Sequence, residues 1–483
     1  MTHQFCDRPM LIDGAFAVAS DNAWITSLNP ATEAEIGRVP AGTKDDVNRA
    51  VDAAERAQSG WKQKSIWERG ALLRKVAAGF RVRAQEILTM EATDTGNTIA
   101  KLRADVEIAA GYLEYFAGLG TEMKGDTVPA SATGLHFTLR EPYGVVARIV
   151  PFNHPFMFAG AHLAAPLMAG NTVVIKTPET SPLSGHLLGE VCQEILPAGV
   201  VNIVSGYGLP VGDALVRHAK IRRIGFTGSV ATGLAIQRAA AETSVKHVTL
   251  ELGGKNPLIV FPDADIHKAV DAAVAGMNFS WAGQSCGSTS RLLVHESLYA
   301  RAIELTQAKV AALKLGDPLD PASDMGPVNS IGHYKRIMAL IEAGKSEGAK
   351  LILGGGRPKG EMFKRGYWIE PTVFADVTPQ MTIAREEVFG PVMTIAKWAT
   401  VDEAISIANS TDYGLTTGIF THDITQALTT AKRIESGVVT INGSGMHFVG
   451  LPFGGVKNSG FGGEESLDEL LSYTQAKSVH IML

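Results

Sequence analysis

Between Tyr143 and Leu250 the chain alternates short, almost wholly apolar runs with helical stretches of ordinary length. The runs GVVARIV, NTVVIK, VNIV, RRIGFT and HVTLEL lack the in–out alternation of a strand with one wet face. They predict strands buried on both faces of a parallel, doubly wound sheet. A second alternation, from Asn256 to about Asn442 with NPLIVF, RLLV, PVMTIAKW, TGIF and GVVTI, predicts another unit built the same way. Upstream, Thr43 caps a predicted helix that carries Val47, Ala50, Val51 and Ala54 at helical spacing. A second helical run extends from Trp67 to Thr93 and stops near Gly96. Leu135, Phe137 and Leu139 alternate with polar residues as in a half-wetted strand, and the tail SYTQAKSVHIML reads as another.

At 483 residues the chain exceeds a single core and divides into two or three domains. A net charge of -5 leaves no basic excess to neutralise phosphates, which argues against nucleic acid as a partner. Cys6, Cys192 and Cys286 lie far apart, without disulfide-framework or metal-ligand spacing, so a reducing compartment, the cytoplasm, is expected and no metal. The N-terminal stretch MTHQFCDRPMLIDGAF carries Asp7 and Asp13 and does not read as a secretory signal. No apolar window is long enough to span a bilayer.

Ligands of doubly wound sheets sit beyond the carboxyl ends of the strands, and here those ends carry chemistry. Cys286 sits in Trp281-Ala-Gly-Gln-Ser-Cys-Gly287. Most free cysteines are inert core residues, but Gly283, Gln284, Ser285 and Gly287 are poor core partners, so a presented nucleophile is the better reading. Cys192, in the apolar helical run with Leu187, Leu188 and Val191, reads as core. Gly283 to Gly287 also satisfies G-x-S-x-G, which would make Ser285 a hydrolase nucleophile; that motif should follow a strand, whereas this one follows a predicted helix from Asp265 to Trp281. The loop from Gly206 to Gly212 misses the G-x-G-x-x-G spacing by one residue. Gly225-Phe-Thr-Gly228-Ser229 opens a helix over Val230–Ala241, either as a pyrophosphate site or as a plain serine N-cap. Glu251 ends a strand beside two glycines, as a general base or a structural glutamate; Glu387, before a strand, reads by itself as a solvated charge.

In order, PFNHP at 151–155, KTPE at 176–179, GFTGS at 225–229, LELGGK at 250–255, GQSC at 283–286, EEVFGP at 386–391 and PFGGVKNSG at 452–460 resemble the motif series of the NAD(P)-dependent aldehyde dehydrogenase superfamily. The segment NPATEAEIGRVP looks like that family as well. The resemblance implies an α/β fold of two doubly wound, Rossmann-type domains plus a small β oligomerisation flap. It places an NAD-binding domain at 1–123 and 143–250, a catalytic domain at 251–455, and bridging segments at 124–142 and 456–483.

The same resemblance implies that Cys286 attacks the aldehyde, Asn153 and the Cys286 N–H hold the oxyanion, and Glu251 activates the water that hydrolyses the thioester. Lys176 and Glu179 would bind the adenosine ribose, the carboxylate favouring NAD, with NADP left open. Gly206, Gly228 and Ser229 would lie along the cofactor, Glu387 at the nicotinamide ribose, and Phe389 with Phe152 on the nicotinamide side. Phe152 departs from a frequent tryptophan, and Trp281 and Ala282 replace polar residues. Channel positions would be His154, Phe158, Ala161, Ser280, Trp281, Met446, His447, Phe448 and Phe453, bulky and without an arginine, which suits a hydrophobic or aromatic aldehyde over a semialdehyde acid. A homodimer or homotetramer is expected. The competing class is a cofactor-independent esterase or thioesterase using Cys286 or Ser285.

Overall fold

The apolar runs become strands whose side chains leave alternately from the two faces, and each face meets helices. In the computed structural model, which describes residues 5–482, Val146, Val173 and Ile175 enter one core with Phe80, Phe116 and Leu187. Ala147 and Val174 enter another, with Val47, Val51, Leu215 and Ile236. The first four residues of the N-terminal stretch and the last of the C-terminal tail lie outside the described residues.

The first sheet holds five parallel strands in the order Val201–Val204, Thr172–Lys176, Val145–Ile149, Ile221–Thr227 and His247–Glu251. Met10–Ile12 joins one edge antiparallel and Gly460–Phe461 the other. The second sheet runs Lys350–Leu353, Thr372–Ala375, Val392–Trp398, Arg291–His295, Pro257–Val260, Thr416–Phe420 and Val438–Ile441, parallel except for its first strand. A third sheet pairs Gly134–Pro142 with Thr127–Ser131 on one side and with Thr474–Met482 on the other.

Thr43 caps the helix Lys44–Gln63 with a complete capping box, Asp46 returning the bond. The run expected as one helix from Trp67 to Thr93 is two, Ile66–Val82 and Ala84–Thr95, separated at Arg83. Arg83 leaves helical geometry and pairs with Glu86 and Glu190. Apolar spacing continues through that break, so the pattern cannot register it. Gly96 terminates the second helix in the left-handed conformation. The helix expected from Asp265 to Trp281 ends at Gly276, and a separate short turn spans Phe279–Trp281.

Two buried arginines on neighbouring strands of the first sheet clamp the segment that leads into the third. Arg148 donates to the Tyr473 hydroxyl at 2.8 Å and to Glu464 at 3.0 Å. Arg223 bonds the Ser472 carbonyl and lies 4.4 Å over the Tyr473 ring. Removing one member of a buried pair strands the other charge, at a cost of about 3–5 kcal/mol, whereas replacing both with apolar groups is far milder. Arg148→Met should therefore lower the melting temperature clearly, and the double variant Arg148→Met/Glu464→Met should regain most of the loss. Calorimetry of both variants checks this; equal melting of single and double variants would exclude the clamp.

Candidate active site

The two sheets meet over a very short connection. Glu251 is the last residue of its strand, and Pro257 is the first of an inner strand of the second sheet. The turn between them is held by Ser459, whose carbonyl accepts from Leu252 N and whose hydroxyl donates to the Gly253 carbonyl at 2.7 Å. The cleft thus lies at the carboxyl ends of the first sheet and the amino ends of the second, where Cys286 precedes Arg291–His295 and Glu387 precedes Val392–Trp398.

The loop carrying Cys286 is less open than its composition suggests. Cys286 is half-buried, but Gly283 and Gln284 are buried. Asn278, Ala282 and Gly283 all have positive φ, a cluster of backbone strain that only its surroundings can sustain. At Gly283 a side chain would collide with the Gly390 carbonyl, its Cβ falling 2.1 Å away, so only glycine fits. Gln284 serves as a buried connector, bonding the Trp281 carbonyl, Asn329 N and, through its own carbonyl, Asn153 Nδ2 at 2.9 Å. The Asn256 amide donates to the carbonyls of Cys286 at 2.7 Å and Ser288 at 3.0 Å, and accepts from Thr416 N.

Around the sulfur stand the expected partners. The backbone N–H groups of Gly287 and of Cys286 itself face it. Burial, reinforced by the charges of Glu251 and Glu387, pushes the thiol well above its ordinary pKa. Glu251 is likewise held well above the ordinary carboxylate value of 4.5 by burial and then by Glu464 and Glu465, with Arg148 opposing. Its Oε1 is buried without a partner, as is Oδ1 of Asn153. Asn153 keeps one amide N–H beyond the bond to Gln284, and its carbonyl is fixed by Asn97 at 2.7 Å. No histidine bonds the Ser285 hydroxyl among the described residues, so no triad forms there.

A second group of residues offers a phosphate-and-ribose cradle. Lys176 is buried, its pKa lowered by that burial, and bonds Glu179 at 3.1 Å. Gly206 lies beyond the neighbouring strand and packs on Val211. The Ser229 hydroxyl accepts from Thr232 N as a helix N-cap over Val230–Ala241, with Gly228 beside it. Glu387 accepts from Gly254 N at 2.9 Å and lies so close to Gly253 that a Cβ there would fall 2.1 Å from its carboxylate. Burial raises Glu387 to about 7. Phe152 and Phe389 meet edge-on at 5.8 Å, and His333, missed in the sequence, completes the aromatic group at 5.6 Å from Phe152. This donor set, with a buried lysine, a capped helix start and carboxylates at backbone turns, fits a dinucleotide.

The channel residues divide. His154 meets Trp281 edge-on at 4.4 Å, with Phe158 at 6.3 Å, and His447 stacks on Phe453 at 4.3 Å. Gly287, Met446, His447 and Phe453 line one small cavity beside the cysteine. Met446 and Phe448 lie exposed, and the His447 side chain is half exposed. Ala161 instead belongs to the first core, which it enters together with Phe156 of its own helix against Phe80, and Ser280 contributes its carbonyl to Thr98. Behind Glu251 lies a buried ionic cluster that sequence reading missed: Arg148, Glu464, Glu469 and His162, the last 3.4 Å from Glu464. No local spacing could have brought these residues together.

Residues 17–479 match the model of the aldehyde dehydrogenase family. The aldehyde dehydrogenase tropH of Talaromyces stipitatus is 44% identical over 484 residues, covering 98% of this chain and 93% of that protein. An aldehyde dehydrogenase of Aspergillus niger is 40% identical over 476 residues, covering 98% and 95%. The structure of an aldehyde dehydrogenase from Bacillus cereus in complex with NAD+ superposes with a TM-score of 0.96 at 36% identity, covering 99% of this chain and 97% of that one.

Releasing the two loop carbonyls should disturb the cysteine without dismantling the fold. Asn256→Ala leaves the carbonyls of Cys286 and Ser288 and the Thr416 N–H unmet, a cost of about 1–3 kcal/mol each at most. Dehydrogenase turnover should fall at least tenfold, and alkylation of Cys286 by iodoacetamide should speed up; mass spectrometry of the labelled peptide checks it.

Proposed function

Within the aldehyde dehydrogenase family, to which this chain belongs, we propose that Cys286 is the nucleophile, Asn153 the oxyanion donor and Glu251 the base of NAD-dependent aldehyde oxidation. The observation that carries the reading is the convergence of a half-buried thiol, a partly unpaired amide and an unpartnered buried carboxylate at one sheet junction. Because burial holds the proton on the resting thiol, attack on the aldehyde carbon requires a base, and Glu251, with its raised proton affinity, accepts that proton. The former carbonyl oxygen takes the remaining N–H of Asn153 and the N–H of Cys286; one such donor contributes about 3 kcal/mol to the transition state. The bound nicotinamide supplies the hydride acceptor. Glu251, its proton released, then withdraws a proton from the water that attacks the thioester, freeing the carboxylate and the thiol.

Lys176, Glu179, Gly206, Gly228, Ser229, Glu387, Phe152 and Phe389 are the residues we assign to the dinucleotide, and the Glu179 carboxylate beside Lys176 supports NAD over its 2′-phosphorylated form. The substrate is a hydrophobic or aromatic aldehyde, a reading supported by the rings of Phe158, Trp281 and Phe453 along the channel. The units 1–123 with 143–250, 251–455, and 124–142 with 456–483 act as cofactor-binding, catalytic and bridging segments. The protein works as a homodimer or homotetramer, supported by the third sheet, on which Val128, Leu135, Leu139, Ile481 and Met482 stay exposed. No helix among the described residues is long and apolar enough to cross a membrane, and three unpaired cysteines suit a reducing compartment, the cytoplasm.

Cys286→Ala should abolish NADH formation from benzaldehyde. Glu251→Gln should leave at most a burst of one NADH per site with a thioester retained, seen by intact-protein mass spectrometry. Ester cleavage that survives Cys286→Ala, with no NADH from any aldehyde in the wild type, would favour the cofactor-independent hydrolase instead. Since Glu251 must be ionised to act and its pKa is raised, turnover should decline as pH falls through a range well above 4.5; a stopped-flow pH profile locates it. Sedimentation should give two or four times the 51.2 kDa chain mass.

A further inference from the structure

Two histidines of the channel are wired alike. His154 Nδ1 stands 2.7 Å from Asp105 Oδ2, both side chains buried. His447 Nδ1 stands 2.7 Å from Glu465 Oε1. Glu465 is buried and held in the left-handed conformation, φ 69°, its N–H on Glu469 and its carbonyl on Gly450 N. Such a conformation is costly for a non-glycine residue and persists only where the surroundings enforce it.

With Nδ1 engaged by a carboxylate, Nε2 is the ring nitrogen each histidine has left for a ligand, an acceptor in the tautomer that carries its single hydrogen on Nδ1. Neither Nε2 has a protein partner among the described residues. The rings around them are aromatic: Trp281 and Phe158 at His154, Phe453 under His447. His447 and Phe453 share a cavity with Gly287, next to the nucleophile. The nearby titratable side chains are mostly acidic, Glu251, Glu464, Glu465 and Glu469, with Glu464 held ionised, and the Arg148 guanidinium is occupied by Glu464 and Tyr473.

Resting on the aromatic-aldehyde reading above, we propose that the channel selects a hydroxylated aromatic aldehyde. The ring stacks among Trp281, Phe158 and Phe453, its hydroxyl donates to Nε2 of His447, with His154 as a second acceptor, and an aldehyde bearing a carboxylate is rejected. His447 is thereby a specificity-determining residue, and Glu465 positions it by fixing its tautomer.

The test compares kcat/KM for 3-hydroxy-, 4-hydroxy- and 4-methylbenzaldehyde and for 4-formylbenzoate in the wild type, His447→Phe, His447→Gln and His154→Phe. The hydroxyl-to-methyl ratio is read relative to the wild type, which cancels intrinsic reactivity. One hydrogen bond gained makes a preference of about tenfold for at least one hydroxyl isomer over methyl. His447→Phe, which keeps a ring over Phe453, should lower that ratio about tenfold from its wild-type value, and His447→Gln, which restores an acceptor, should recover part of it. If benzaldehydes are oxidised but hydroxyl and methyl do not differ, or if the ratio survives both phenylalanine variants, the selection is overturned while the aromatic reading stands. A preference for 4-formylbenzoate overturns it too, since the histidines would then act as cations. If only aliphatic aldehydes are oxidised, the aromatic reading itself falls.

Discussion

One side-chain amide holds the cleft together. Asn256 grips the carbonyls on either side of Gly287 and is itself fixed by the backbone of the second sheet. It stands five residues after Glu251, so the piece of chain that delivers that carboxylate also anchors the loop that delivers the thiol. Neither could be moved without dragging the other. The strained residues Asn278, Ala282 and Gly283 stay in place because this grip, the Gln284 connector and the close approach of Gly390 leave the loop no alternative path.

The chemistry rests on charge kept away from water. Glu251, Cys286, Glu387 and Lys255 are all pushed toward their neutral forms by burial. Burying so many ionisable groups does little for stability, and a hydrophobic cluster of equal volume would serve the fold as well. What the arrangement contributes is proton affinity: the Arg148 guanidinium keeps Glu464 ionised against its burial, and that charge raises the proton affinity of Glu251, the proposed base. The cluster behind the site thus acts on the reaction without touching the thiol.

Much of this was legible in the sequence, for physical reasons that also mark where legibility ended. Strands buried on both faces write themselves as continuous apolar runs, so five strands of each large sheet could be read, while Lys350–Leu353 and Thr372–Ala375 at one edge of the second could not. The hairpin Trp24–Leu28 with Glu35–Pro40, short and interrupted by polar residues, could not. The rule that ligands sit at carboxyl ends found the first sheet's contribution, but Cys286 and Glu387 enter from amino ends of the second, where no such rule points. Ser229 caps its helix, the plainer of its two readings, and capping does not preclude a pyrophosphate beside it. Arg148, His162 and Glu464 escaped notice because their meaning lies in pairings across some three hundred residues, as between Arg148 and Glu464, |i−j| of 316.

Those distant pairings order events during synthesis. The second sheet is made of residues 257–441, whereas the first needs residues 460–473 for its last edge strand and for the arginine clamp. A ribosome therefore releases most of the first sheet early, yet that lobe waits for the far end of the message before Arg148 and Arg223 find their partners. The later-made lobe can close first. Until then Arg148 lacks the Glu464 carboxylate, and Arg223 lacks the Ser472 carbonyl and the Tyr473 ring.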